Sequence, residues 1–463
     1  MPVLWSNIFV GPVHEPNLTG YHKLLSLHFQ RSRSCLIALD IQIHVPSIET
    51  CSDHTLVIFK LLARYSTRLR ALSAPYIPGD ILWVLMGLNR VDSEGQPLAL
   101  PMESLSFETH KYVANREYLS NPLHGSSLPN LRNFSSFGPY LSKHDTFALP
   151  WDQITHVKLA LTGVDNALFH LFFPSLTSLD VELSGHDPAT GATLASQADV
   201  VTNLTLTTLR IRWPSPVILT QFLSRLSCSQ LSSLHLSYDS HTGPNKDEAD
   251  DMLRETLTTF LLTSCCSKTL TRLTFSTYNP LNAVVLVDIL DLTPKLTHLF
   301  IEEKKGPIRS YDPDESDYSQ TSAFAREQAG MLPELKVLQI VVEGYWRAAQ
   351  ESKLLRMFEG IVRSRSKSRV LPPLESAVLE RPLVSPPFEG LDDLESLKEL
   401  ERAGETVLKV LFGSTTVVGY GRDSEKDGFR DIEAPRGEQG TWVRRTFSGF
   451  GKTVLHNKSA SKQ

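Results

Sequence analysis

The stretches Leu206-Thr207-Thr208-Leu209-Arg210-Ile211-Arg212 and Leu231-Ser232-Ser233-Leu234-His235-Leu236-Ser237 decide the fold. Both read L-x-x-L-x-L. The last two apolar positions lie two residues apart, the period of a strand with one buried face. The first lies three residues earlier, where the chain bends into the strand. The same triplet recurs at Ile154-Val157-Leu159, Leu176-Leu179-Val181, Leu270-Leu273-Phe275, Leu296-Leu299-Ile301 and Leu335-Leu338-Ile340. Leu374-Ala377-Leu379 is a weaker last copy, and Met102-Leu105-Phe107 and Leu131-Phe134 are weak early ones. In a leucine-rich repeat three such side chains fill the space between a strand and the returning chain. Each contributes about 1.5–3 kcal/mol on burial. A single unit cannot bury its own face, so neighbours must stack.

Working outward, the segments between copies read as helices: Pro216–Ser227, Asp247–Ser264, Ala283–Leu292 and Gln350–Val362. Acids at the start of the second suit the positive end of a helix dipole. Strand, helix, strand gives a parallel sheet with right-handed crossovers. The expected fold is therefore α/β: a leucine-rich-repeat-like solenoid with a curved parallel sheet, concave outward, and helices on the convex side. Steps between first positions run irregularly from 22 to 39 residues. The polar stretches Ser240–Asp250 and Gly306–Thr321 account for the longest steps as loops. A non-repeating α/β domain is the competing fold, and the recurrence of one three-position signature weighs against it.

Residues 1–110 are expected to form N-terminal helix–strand capping units, because terminal repeats are atypical. They contain helices over Asn17–Arg31 and Asp53–Tyr65, each followed by a strand, near Cys35–Ile43 and from Thr67. Residues 111–413 form the solenoid, with a charged helix at Leu394–Ala403 and a last strand at Val407–Leu411. Residues 414–463 read as a polar, disordered tail.

Composition narrows the function. The chain of 463 residues is 41% apolar and 21% charged with a net charge of −5, which excludes the strongly basic footprint of a nucleic-acid binder. The basic residues after Thr441 read as a solvated tail. The opening Met1–Asn7 does not read as a signal peptide, and no apolar run is long enough to span a bilayer. Five cysteines, two of them adjacent at Cys265-Cys266, fit reduced thiols in the cytoplasm or nucleus. Phosphate loops, zinc-protease helices, nucleophile elbows and calcium loops are absent as motifs. No enzyme, cofactor or metal site is expected.

Binding remains. Residues between and just after the buried strand positions point to the concave face. They are Lys158, Asp180, Arg210, His235, Thr274, Phe300 and Gln339, with Arg212, Ser237 and Glu302 beside them. A row mixing both charges with one aromatic suits a folded protein or peptide partner, not nucleic acid or membrane.

Three stretches carry a family resemblance. Val3-Leu4-Trp5-Ser6-Asn7-Ile8 resembles the P-x-L-W-S-x-I segment that follows the F-box in the large F-box protein families of mushroom-forming fungi. Leu24 through Ile43, with Arg31-Ser32-Arg33-Ser34-Cys35-Leu36, resembles the next helix, turn and strand. Leu149-Pro150-Trp151-Asp152-Gln153-Ile154-Thr155-His156-Val157 resembles the L-P-W-x-Q-L-T-H-L start of a repeat. The likeness runs over roughly residues 1–411. It implies the substrate-recognition region of an SCF-type ubiquitin ligase receptor, holding a protein target. The F-box itself is expected to be missing from the N-terminus, so no adaptor-binding residue carries over. A contact with the cullin adaptor is expected only if an F-box is encoded upstream of Met1. The alternative is an F-box-less leucine-rich-repeat scaffold with no ubiquitin role.

Overall fold

The structure is a computed structural model. It describes residues 2–11, 18–45, 52–78, 82, 99–108, 128–138, 149–184, 200–238, 246–277, 283–303, 332–342, 358–365, 371–372, 374–381, 407–412 and 415–418. The strands are β1 (Asn7–Val10), β2 (Ile37–Ile41), β3 (Leu69–Pro78), β4 (Ser104–Glu108), β5 (Asn133–Phe137), β6 (His156–Thr162), β7 (Ser178–Leu183), β8 (Val201–Thr202) and β9 (Thr208–Trp213). They continue as β10 (Leu226–Ser227), β11 (Ser233–Tyr238), β12 (Arg272–Thr277), β13 (His298–Glu303), β14 (Val337–Val342), β15 (Ser376–Arg381), β16 (Val407–Phe412) and β17 (Thr415–Val418). The helices are α1 (Leu18–Arg31), α2 (Asp53–Arg64), α3 (Val164–His170), α4 (Pro216–Leu223), α5 (Lys246–Thr263) and α6 (Ala283–Asp291), and residues 358–365 are helical too.

Among the described residues fifteen strands form one open sheet whose spatial order follows the chain from β1 to β17, while β8 and β10 pair separately. Every neighbouring pair from β1 to β16 is parallel, and β17 turns back antiparallel on β16. The molecule is thus α/β, built on a large parallel sheet. The N-terminal units are continuous with this sheet through β1 to β4.

Register explains why the triplet recurs. Ile8, Leu39, Leu72, Leu105, Phe134, Val157, Leu179, Leu209, Leu234, Leu273, Leu299, Leu338 and Ala377 stand opposite one another in one row. All are buried. A second buried row runs two residues later through Phe107, Leu159, Val181, Ile211, Leu236, Phe275, Ile340 and Leu379. Ser136 occupies that position in the weak copy at Leu131-Phe134 and is also buried. The turn positions Met102, Leu131, Ile154, Leu176, Leu206, Leu231, Leu270, Leu296, Leu335 and Leu374 complete the filling.

A second ladder, made of hydroxyls, runs beside the turns. The carbonyl of Thr177 accepts the backbone N–H of Thr207 and Thr208 at 2.9 and 3.0 Å and the Thr207 hydroxyl at 3.0 Å. The same three-bond arrangement joins Thr207 to Ser232, Ser232 to Thr271, and Thr271 to Thr297. Polar backbone at each of these half-buried or exposed bends is bonded by the next repeat. Beyond Thr297 the hydroxyl gives way to charge: Lys336 Nζ meets Glu375 Oε1 at 2.8 Å.

The helices cover the apolar side. Each buries residues three and four apart, such as Leu25 and Phe29 on α1, Leu219, Phe222 and Leu223 on α4, and Leu253, Leu257, Phe260 and Leu261 on α5. Helix α5 packs against both α4 and α6. Ser52 caps α2 by accepting from the Thr55 N–H at 3.2 Å, and Pro216 opens α4, where a missing N–H costs nothing. The helix expected over Pro216–Ser227 ends at Leu223, because Leu226–Ser227 extend into β10 to pair with β8. Helix α5 takes in the last residues of the loop expected at Ser240–Asp250. Thr415–Val418 form β17 inside the stretch expected to be tail. The Leu394–Ala403 helix, most of Gln350–Val362, the Gly306–Thr321 loop and residues 419–463 lie outside the described residues.

At the β1 edge, Tyr21 of α1 makes two bonds. Its hydroxyl accepts the Gly11 N–H at 3.0 Å and donates to the Phe9 carbonyl at 2.9 Å.

Candidate interaction face

Alternation along each strand sends the residues between buried positions to the opposite face of the sheet. The register sets Lys158, Asp180, Arg210, His235, Thr274, Phe300 and Gln339 in one row, one per strand across β6, β7, β9 and β11 to β14. The sequence expectation placed these residues side by side, and the pairing does so. The row continues backward through Ser135, Ser106, Ser73 and Asp40 to Phe9, and forward to Val378 and Lys409. Arg212, Ser237 and Glu302 stand in a second row two residues on, with Glu182, Ser276, Val341 and Glu380.

Exposure separates these candidates. Arg210 and Arg212 are exposed, and Lys158, Asp180, His235, Thr274, Phe300, Gln339 and Glu302 are half-buried. Ser237 is only 2% exposed, so this member of the expected set offers almost no surface. Ser237 stands in register between Arg212 and Ser276, and Ser276 is itself 1% exposed.

Charge is distributed unevenly. Arg212 pairs with Glu182 at 3.4 Å. The Ser276 hydroxyl donates to Glu302 Oε2. Lys158, Asp180 and Arg210 alternate in sign, yet no ion pair joins them.

A third row, which the sequence reading left out, holds His156, Ser178, Thr208, Ser233, Arg272, His298 and Val337. Its two histidines share a local device. Thr155 Oγ1 lies 2.7 Å from His156 Nδ1, and Thr297 Oγ1 lies 2.8 Å from His298 Nδ1. The same hydroxyls reach the carbonyls of Arg132 and Thr271, at 3.3 and 2.9 Å. Which partner donates in each Thr-His pair is set by the ring tautomer. Burial lowers the pKa of both rings. For His298 the nearby Arg272 and Lys336 lower it further, partly offset by Glu375. The doubled Thr-His dipeptide ahead of the strand was the available sequence signal.

Elsewhere the titratable groups are packing elements. His170 is buried against Trp151 and Phe173, with ring centroids 5.1 and 5.7 Å away, and burial pushes its pKa down to about 3. Burial first, and then the neighbouring Cys266, raises Cys228 to about 12; burial raises Cys266 to about 12, against a backbone hydrogen bond that lowers it and with a smaller push from Cys265. Thiols held that high are poor nucleophiles. Cys35, Cys228, Cys265 and Cys266 are free. Among the described residues no group of His, Cys, Asp or Glu is arranged to hold a metal ion, and no helix is long and apolar enough to cross a membrane.

No protein-family model and no curated protein matches the chain.

Proposed function

We propose that the chain is a leucine-rich-repeat-like solenoid whose open sheet face, concave in this reading, holds another protein. The observation that carries the reading is the in-register row from Lys158 to Gln339, half-exposed and mixed in charge, on a sheet whose strands are added in chain order. Unlike the helix-covered side, this face carries side chains that can bond a partner without first being unburied. Such surfaces suit protein recognition because polar positions fix orientation while apolar ones supply contact area. Within that reading, the resemblance to mushroom-type F-box proteins favours a target-holding region of an SCF-type ubiquitin ligase receptor, working in the cytoplasm or nucleus.

The test is capture from cell extract by three forms of the chain. They are the wild type, an outer-face variant carrying Lys158→Glu and Gln339→Arg, and a helix-side variant with the exposed Leu262→Ser on α5. Proteins retained by the first and third and lost by the second support the reading. Identical retention by all three would overturn it. Co-purification of the cullin adaptor with the native protein would support the ligase branch; its absence, with capture intact, would favour a scaffold.

A further inference from the structure

We infer that the outer face across β9 to β14 recognises an acidic, extended protein segment, with an apolar side chain following the carboxylates. This rests on the interaction-module reading and names the partner's chemistry.

The argument starts from which charges are already engaged. On the outer face from β6 to β13 the three rows hold Lys158, Arg210, Arg212 and Arg272 against Asp180, Glu182 and Glu302. Two of the three carboxylates are occupied, Glu182 by Arg212 and Glu302 by the Ser276 hydroxyl. The third, Asp180, stands between two cations, Lys158 and Arg210. This leaves Arg210 and Arg272 on strands whose outer rows carry no acid. Between them β11 presents Ser233 and His235, with Ser237 only 2% exposed. The two guanidiniums stand on the strands either side of β11, where carboxylates of a segment crossing it can meet them bidentately. The positive balance of this face opposes the net charge of −5 on the whole chain, so the face stands apart from its own background.

The chemistry changes along the row. Past β12 come Phe300, then Val337 on β14, then Val378 on β15. Arg210 and Phe300 are separated by three strand steps, β9 to β11 to β12 to β13. At about 4.8 Å per step that is about 14 Å, and an extended segment covers it in about four residues. The expected ligand therefore crosses the strands with an Asp or Glu at the β9–β12 end and an aliphatic or aromatic side chain about four residues away.

The test uses the full chain and two fluorescein-labelled peptides of equal length. One has an all-Glu half followed by a Leu-containing half, and the other replaces every Glu by Lys. Anisotropy is read at low and at high salt. The acidic peptide should bind at least tenfold more tightly than the basic one. Arg210→Glu with Arg272→Glu should weaken it at least tenfold, with an unchanged melting temperature. Reversing an exposed cation on α2, Arg64→Glu, should leave it unaltered. Equal binding of the two peptides, or binding indifferent to the Arg210 and Arg272 reversals, overturns the inference. If extract partners are still lost from the Lys158→Glu, Gln339→Arg variant but kept by the Arg210, Arg272 pair, the interaction module stands and only its acidic specificity fails.

Discussion

Substitution of Leu179 and of its neighbour Asp180 gives the most direct test of the strand facing. Leu179 is 0% exposed and sits between Val157 and Leu209 in the buried row, whereas Asp180 is half-exposed on the opposite face. Leu179→Ala removes three carbons, worth about 2.4 kcal/mol of transfer at about 0.8 per methylene. The cavity between stacked units adds to this, so the expected loss is about 3–5 kcal/mol. Leu179→Asp should cost more, because a carboxylate placed there meets only hydrocarbon. Asp180→Ala should change stability by no more than about 0.5 kcal/mol. Urea unfolding followed by far-ultraviolet circular dichroism gives the three values. Amide exchange on β6 to β9 then shows whether the damage begins at the mutated row. Comparable losses at 179 and 180, or an intact midpoint for Leu179→Asp, would refute the register argument.

Three further outcomes follow from the structure. His170 has a folded pKa depressed to about 3, so the unfolded chain takes up its proton first as pH falls. Its share of stability is complete above the unfolded value of about 6.5 and should fall by about 1.4 kcal/mol per pH unit below it. His170→Leu should flatten the pH dependence of the urea midpoint between pH 6 and 4, and an unchanged slope would contradict the burial. Thr207→Val removes the hydroxyl bond to Thr177 while keeping shape, and should cost about 0.5–1.5 kcal/mol in the same unfolding assay; no loss would make that ladder ornamental. Iodoacetamide followed by peptide mass mapping should modify exposed Cys265 quickly and Cys228 and Cys266 only as fast as the chain opens; rapid labelling of Cys228 would rule out its packing position.

Much of the sheet was legible because its signal is a pattern of burial. Leucine, isoleucine and phenylalanine at fixed offsets state which side of the strand is covered, and even the weak copies at Met102 and Leu131 fall into register. Other features turn on bonds that leave little trace in hydropathy. The Thr/Ser ladder from Thr155 to Thr297 was invisible because threonine is common in strands and loops alike. Its meaning depends on a carbonyl in the preceding repeat. Asn203 is similar: it donates to the Leu171 carbonyl at 2.8 Å and accepts from the Thr205 and Leu206 N–H, a buried knot that reads in sequence as a loop asparagine. Helix α3 was missed because seven residues hold too few turns for a periodic pattern. On the outer face the central row was readable from alternation alone, while Arg272, His156 and His298 were not, because they precede the first residue of the L-x-L core and look like bend residues. The burial of Ser237 depends on which residues stand beside it on β9 and β12, which a single strand does not state.

The Tyr21 hydroxyl has a consequence for self-association. A parallel sheet could in principle go on recruiting strands at its first edge, and identical chains meeting there would stack into a filament. On β1 the Phe9 carbonyl and the Gly11 N–H are both occupied by one phenol, so an arriving strand must break two hydrogen bonds before it makes its own. At the far side, the reversal from β16 to β17 presents an incoming parallel copy with a neighbour of opposite direction. Among the described residues, two outward backbone groups of the first edge are thus held by a single oxygen contributed from a helix, and Tyr21→Phe would release both to an arriving strand.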